Sequence, residues 1–130
     1  MRHMLRHLTV FTLTLMVSVG LHAQQPMLTH RADGRLQQSQ HDIYDSHDRL
    51  AVRIVYTYDD STGVVETRTL TGYDRQGRIN RIEIYSADDR LLFSDTFRYR
   101  HNGQVRRRIQ RTYDDNGTLT DKQVIRPTHQ

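Results

Sequence analysis

The sequence predicts an all-β chain, an antiparallel meander of about seven to eight strands built from ~14-residue hairpin repeats and forming an open sheet or a partly closed barrel. Three observations carry that expectation. A pattern, Tyr-Asp-x-x-Gly-x-aliphatic, recurs along the chain. The step from each aliphatic to the next Tyr is always even, which is the parity of a strand and not of a helix. The composition, 35% apolar and 26% charged over 130 residues, suits one domain without a deep core.

Residues 1–23 read as a secretory leader. Arg2 and Arg6 form its charged start, Leu8 to Leu21 an uncharged apolar run, and Leu21-His22-Ala23 before Gln24 a cleavage site. The run falls short of the ~20 residues that a spanning helix needs. The chain is therefore expected to be exported, to the periplasm, the cell envelope or the medium. Residues 24–130 are then the β domain, and no segment spans a membrane. Loss of Arg2 and Arg6 takes the nineteen basic residues to seventeen, against fifteen acidic ones. So slight an excess argues against a nucleic-acid partner. With no Cys, the chain has neither a disulfide framework nor a thiolate metal site.

The repeat follows. Its clearest copies are Tyr73 to Ile79, with Gly77, and Tyr113 to Leu119, with Gly117. Tyr99 to Val105 carries Gly103. Tyr44 to Leu50 and Tyr85 to Leu91 place Asp48 and Asp89 where the glycine stands. Tyr58 to Val65 has one extra residue ahead of Gly63, and His30 to Leu36 is a degenerate first copy with Gly34. The starts lie at 30, 44, 58, 73, 85, 99 and 113, so the spacings are 14, 14, 15, 12, 14 and 14.

Asp-x-x-Gly suits a type I turn followed by a residue at positive φ, which closes a hairpin with a bulge. Asp is among the few residues besides Gly that tolerate that conformation, which accounts for Asp48 and Asp89. Turn centres are expected near residues 32, 46, 61, 75, 87, 101 and 115. Even spacing then puts every Tyr and every aliphatic partner on one face. With Tyr opposite aliphatic, the implied register sets Arg81 against Asp95, Arg111 against Asp121, Arg107 against Phe97 and Arg98 against Arg106. An outer-membrane barrel is disfavoured. Arg81, Asp95 and Arg107 interrupt one face and Arg53, Arg68, Arg106 and Arg108 the other, so neither is a lipid-facing band.

These Tyr-Asp-x-x-Gly-x-aliphatic copies, over roughly residues 30–126, resemble the YD repeats of the Rhs family. In Rhs and teneurin proteins such repeats build long β-sheets that wind into a hollow shell, which encloses a toxin or mediates adhesion, and some are assigned carbohydrate binding. The resemblance implies a scaffold. The period here is near 14 with one turn per unit, where the family's longer repeat usually includes a second glycine turn.

No catalytic constellation stands out, and no cofactor or metal is expected. His41 and His47 lack a Glu or His at helical ligand spacing. Asp59-Asp60 and Asp114-Asp115-Asn116-Gly117 invite a calcium reading, but they lack the closing Glu of a calcium loop and the turn accounts for them. The candidate binding residues are Arg98, Arg106, Arg108 and Arg126, read as one patch on the face away from the tyrosines. Like charges opposite one another destabilise a sheet, and such a patch attracts an anionic partner: acidic glycan, lipopolysaccharide or an acidic protein. Ile82, Ile84 and Leu92 beside it offer a packing seam. The expected function is that of an exported, non-enzymatic binding or envelope scaffold. The alternative is a small envelope immunity or inhibitor-like protein that neutralises a protein partner. The oligomeric state is left open. The leader reading is checked by mass spectrometry of the protein from envelope or medium: a chain beginning near Gln24 is expected, and an intact Met1–Ala23 segment contradicts it.

Overall fold

Residues 22–128 are described by a computed structural model and form one antiparallel sheet. Its strands are β1 (His22–Ala23), β2 (Met27–His30), β3 (Leu36–Tyr44), β4 (Leu50–Tyr58), β5 (Val65–Tyr73), β6 (Ile79–Ser86), β7 (Leu91–Tyr99), β8 (Val105–Tyr113) and β9 (Leu119–Ile125). From β3 to β9 each strand pairs with the next, while β1 and β2 share the outer edge of β3. No strand pairs β9 with β1 or β2, so the meander is open and not a barrel. The strand beyond the expected number is β1, two residues that fall inside the segment read as leader. The rest of that segment, residues 1–21, lies outside the described residues.

All seven turns stand where the repeat puts them. The residues at the glycine place have φ between 59° and 86°: Gly34, Asp48, Gly63, Gly77, Asp89, Gly103 and Gly117. In the β7–β8 turn the Gly103 N–H donates to the Arg100 carbonyl at 3.0 Å, and the Arg100 N–H to the Gln104 carbonyl at 2.8 Å. The repeat's Asp has its own task. Asp74 Oδ1 accepts the N–H groups of Gln76 and Arg78, each at 2.9 Å, so the carboxylate holds the turn that the glycine bends. Asp114 does the same for Asn116 and Thr118.

Tyr does face the aliphatic, as at Tyr73–Ile79 and Tyr99–Val105. One residue further in, the register shifts by one, and it does so in each of the seven hairpins. The second residue of each strand from β3 to β9 is thus a bulge residue that has no opposite number across the hairpin: Gln37, Ala51, Glu66, Asn80, Leu92, Arg106 and Thr120. The four cross-strand pairs expected from the sequence are all displaced by this one step. Arg81 lies opposite Thr96, Arg111 opposite Lys122, Phe97 opposite Arg108, and Arg98 opposite Arg107. The β3–β4 pair shows the reason. The shifted register sets Asp42 against Arg53 and Ile43 against Val52, whereas the unshifted one would set Asp42 against Val52.

The bulge also flips the parity of every strand, so the tyrosines do not share a face. Alternation inward from each turn puts Tyr44, Tyr73 and Tyr99 with Asp42 and Asp95, on what is called here the aspartate face. Tyr58, Tyr85 and Tyr113 lie with Ser39 and Ser94, on the serine face. A single layer buries little. Among the described residues only Ile43 and Ile54 are buried apolar side chains, at 4% and 3% exposure, and both lie on the serine face.

The turn frame is tested with one pair of variants. A Cβ at Gly103 would meet nothing within 4 Å, so Gly103→Val suffers only the backbone strain of φ +86°. It is expected to lose about 1–3 kcal/mol in denaturant titration. His101→Ala, two residues away at the exposed tip, is expected to stay within about 0.5 kcal/mol of wild type.

Candidate anion-binding site

The register shift disperses the four candidate arginines. Arg98 projects on the serine face opposite Arg107. Arg106 is the exposed bulge residue of β8. Arg126 lies just beyond β9, exposed. Arg108 is on the other face and already engaged. Its Nε and Nη2 donate to Asp95 Oδ2 at 2.8 and 2.6 Å, and its guanidinium stands 5.0 Å from the Phe97 ring centroid. The expectation of one patch fails for a physical reason: patches on a sheet are set by parity, and a one-residue shift reverses parity.

Arg108 belongs to the fold. Asp95 is 1% exposed, the most buried charged residue described. Its Oδ2 also accepts from the Gln110 amide at 3.3 Å. A buried carboxylate is tolerable only beside a hydrogen-bonded cation. The hydrogen bond to Asp95 in turn holds the Arg108 pKa above its ordinary value, against the opposing effect of burial. A second such pair joins Arg53 to Asp42 through two bonds of 2.8 and 2.9 Å. The hydrogen bond from Arg53 is the main force lowering the Asp42 pKa, against burial.

Other sequence candidates are likewise absorbed by structure. His41 packs edge-on against Tyr56 at 5.5 Å, and burial lowers its pKa, opposed by Asp42. Asp59 Oδ1 accepts from Ser61 Oγ at 2.7 Å and from the Ser61 and Thr62 N–H groups at 2.8 and 2.9 Å. Those bonds, the Ser61 hydroxyl first, hold its pKa well below the usual carboxylate range. Among the described residues no three His, Asp or Glu side chains converge as metal ligands.

A recess forms at the end of the sheet where the β5–β6 and β7–β8 turns lie side by side. Alternate turns share an end, and β6 and β7 are neighbours, so the two turns stand about 10 Å apart, two strand spacings. Tyr99 bridges the gap. Its hydroxyl donates to the Ile79 carbonyl, and the Arg78 guanidinium lies 4.4 Å over its ring. Arg78 is held in place by Asp74 Oδ2 at 2.8 Å and Gln76 Oε1 at 2.9 Å. The result is an open cavity of 540 Å³ lined by Gln76, Arg78, Tyr99, Arg100, His101, Asn102, Gly103 and Arg106. No carboxylate is among these lining residues.

Of the four candidates, only Arg106 lines this cavity. Arg78, Tyr99, Arg100, His101 and Asn102 were not selected from the sequence, although a signal was there. Four of the seven copies carry Asp at the second place, and Tyr99-Arg100 stands where Tyr73-Asp74 and Tyr113-Asp114 have the acid. The turn survives because Asn102 takes over, its Oδ1 accepting the Gln104 N–H at 3.0 Å. No protein-family model matches the chain, and no curated protein matches it in sequence.

The structural role of Arg108 is tested against the free surface at Arg106. Arg108→Gln strands the Asp95 carboxylate and is expected to lose about 3 kcal/mol. Arg106→Gln is expected to stay within about 0.5 kcal/mol. Equal losses in urea titration would contradict the division between them.

Proposed function

We propose that the protein is an exported, non-enzymatic YD-repeat scaffold that binds an anionic glycan at the cavity between the β5–β6 and β7–β8 turns. The observation that carries this reading is the lining itself: Arg78, Arg100 and Arg106 with no acid among the lining residues. Convergent cations in a recess attract an anion and exchange its hydration for hydrogen bonds. The remaining lining suits a sugar. The Tyr99 ring offers an apolar wall, while the Gln76 and Asn102 amides donate and accept toward hydroxyls.

A recess of 540 Å³ falls in the range of small-ligand sites, about 300–1,000 Å³. That size favours an oligosaccharide segment over the flat epitope of a neutralised protein partner. Export supports the same reading, since acidic glycans are components of envelopes and of extracellular matrices.

The test is retention on immobilised polygalacturonate, with a neutral glucan as control. Retention on the acidic polymer alone is expected, weakening as salt rises because exposed charges act over only about 8 Å at physiological ionic strength. Arg106→Ser with His101→Ala is expected to lower affinity at least tenfold with the fold intact by circular dichroism. Equal retention of variant and wild type would remove the cavity as the site.

A further inference from the structure

We propose that β9 is a dimerisation edge, and that two copies of the chain join through it, antiparallel, about a two-fold axis at Gln123. The inference does not depend on the glycan reading.

The two edges of the sheet differ. At one, β3 is covered by β2, which is four residues long and follows Pro26, while the two residues of β1 belong to the segment read as leader. Short, interrupted strands and a proline are the usual guards of an edge. The other edge is β9: seven residues, all exposed, with β8 as its one neighbour among the described residues. After Thr120 it has no bulge, and Pro127 comes only beyond its end. Three of the six large apolar side chains exposed among the described residues lie on it: Leu119, Val124 and Ile125 at 46%, 42% and 37%. One guarded and one open edge argue against an endless head-to-tail sheet and for closure of the open edge on itself.

Side chains select the register. A strand meeting its own copy antiparallel across a two-fold axis normal to the sheet pairs residues symmetrically about one central residue. Centring on Asp121 or Lys122 sets like charge against like. Centring on Val124 sets Lys122 against Arg126, and centring on Thr120 pairs only three strand residues. Centring on Gln123 sets Lys122 against Val124 and Asp121 against Ile125, with no like-charge pair. Gln123 then meets its own copy, which suits an amide because it both donates and accepts. On the aspartate face Asp95, Gln110 and Gln123 are successive cross-strand neighbours. Their line would continue into the second copy as an unbroken ladder of glutamines.

The experiment is the mass in solution of the purified chain by light scattering, with variants that read the register. The wild type is expected to be a dimer at micromolar concentration. Val124→Lys places two lysine pairs across the axis and is expected to give a monomer with an unchanged circular dichroism spectrum. Adding Lys122→Glu converts those pairs to Glu–Lys and is expected to restore the dimer. In a chain without Cys, Gln123→Cys is expected to oxidise to a disulfide-linked dimer, while Leu28→Cys on the guarded edge is not. A monomeric wild type, a ladder of larger species, or a Val124→Lys dimer would overturn the proposal. Arg106→Ser with His101→Ala is expected to leave the dimer unchanged, so its failure to bind glycan stays separate from this result.

Discussion

Seven residues held at positive φ govern this sheet. Each closes its turn two residues before the return strand, six of them at the end of a four-residue turn and Gly63 at the end of a five-residue one, so each fixes which residue of one strand can meet which residue of the next. Gly supplies five of them without steric cost, and Asp48 and Asp89 supply the others at φ 59° and 63°. Once the turn is set, Tyr must meet the aliphatic. The bulge one residue further in then decides the rest. Because it recurs in every hairpin, it is part of the repeat and not an accident of one strand.

The sheet is stabilised without a core in the usual sense. With two apolar side chains buried among the described residues, hydrophobic burial is spread thinly over half-exposed pairs. Polar stacking adds to it. Arg68 lies 4.4 Å over Tyr85, Arg78 4.4 Å over Tyr99 and Arg108 5.0 Å from Phe97, each cation covering an aromatic ring over which the described residues place no second layer. At these three positions Arg suits the role better than Lys, since a planar guanidinium can stack on a ring and hydrogen-bond at its rim together.

The fold was legible because its signals are local. Asp-x-x-Gly states the turn, and even spacing states the strand. The register was not legible, because the bulge leaves no residue type behind it: Gln37, Ala51, Glu66, Asn80, Leu92, Arg106 and Thr120 have nothing in common. Complementarity could still have exposed it at Asp42, which finds Arg53 only in the shifted register. The candidate site suffered most, since Arg98, Arg106 and Arg108 were grouped by parity and parity was the one property the bulge inverts. Arg106 was retained through its neighbourhood to a turn and not through its face.

In a repeat protein the consensus builds the framework, so chemistry is to be sought where a copy breaks it. Arg occupies the second place twice, as Arg31 and as Arg100, and both times a fourth-place side chain replaces the lost carboxylate as turn acceptor. Asp33 accepts the Arg35 N–H and Asn102 the Gln104 N–H, each at 3.0 Å. The two outcomes differ in charge. Asp33 restores the acid that Arg31 displaced, and Arg31 and Asp60 form an ion pair across to the β4–β5 turn. Asn102 restores the hydrogen bond but not the charge. The β7–β8 turn thus keeps its geometry while replacing an acid with a guanidinium, beside the Arg78 of the adjoining turn. A framework need alone would be met by either residue. A neutral fourth place adds no acid to a lining that already holds Arg78, Arg100 and Arg106, and that is the feature on which the proposed anion depends.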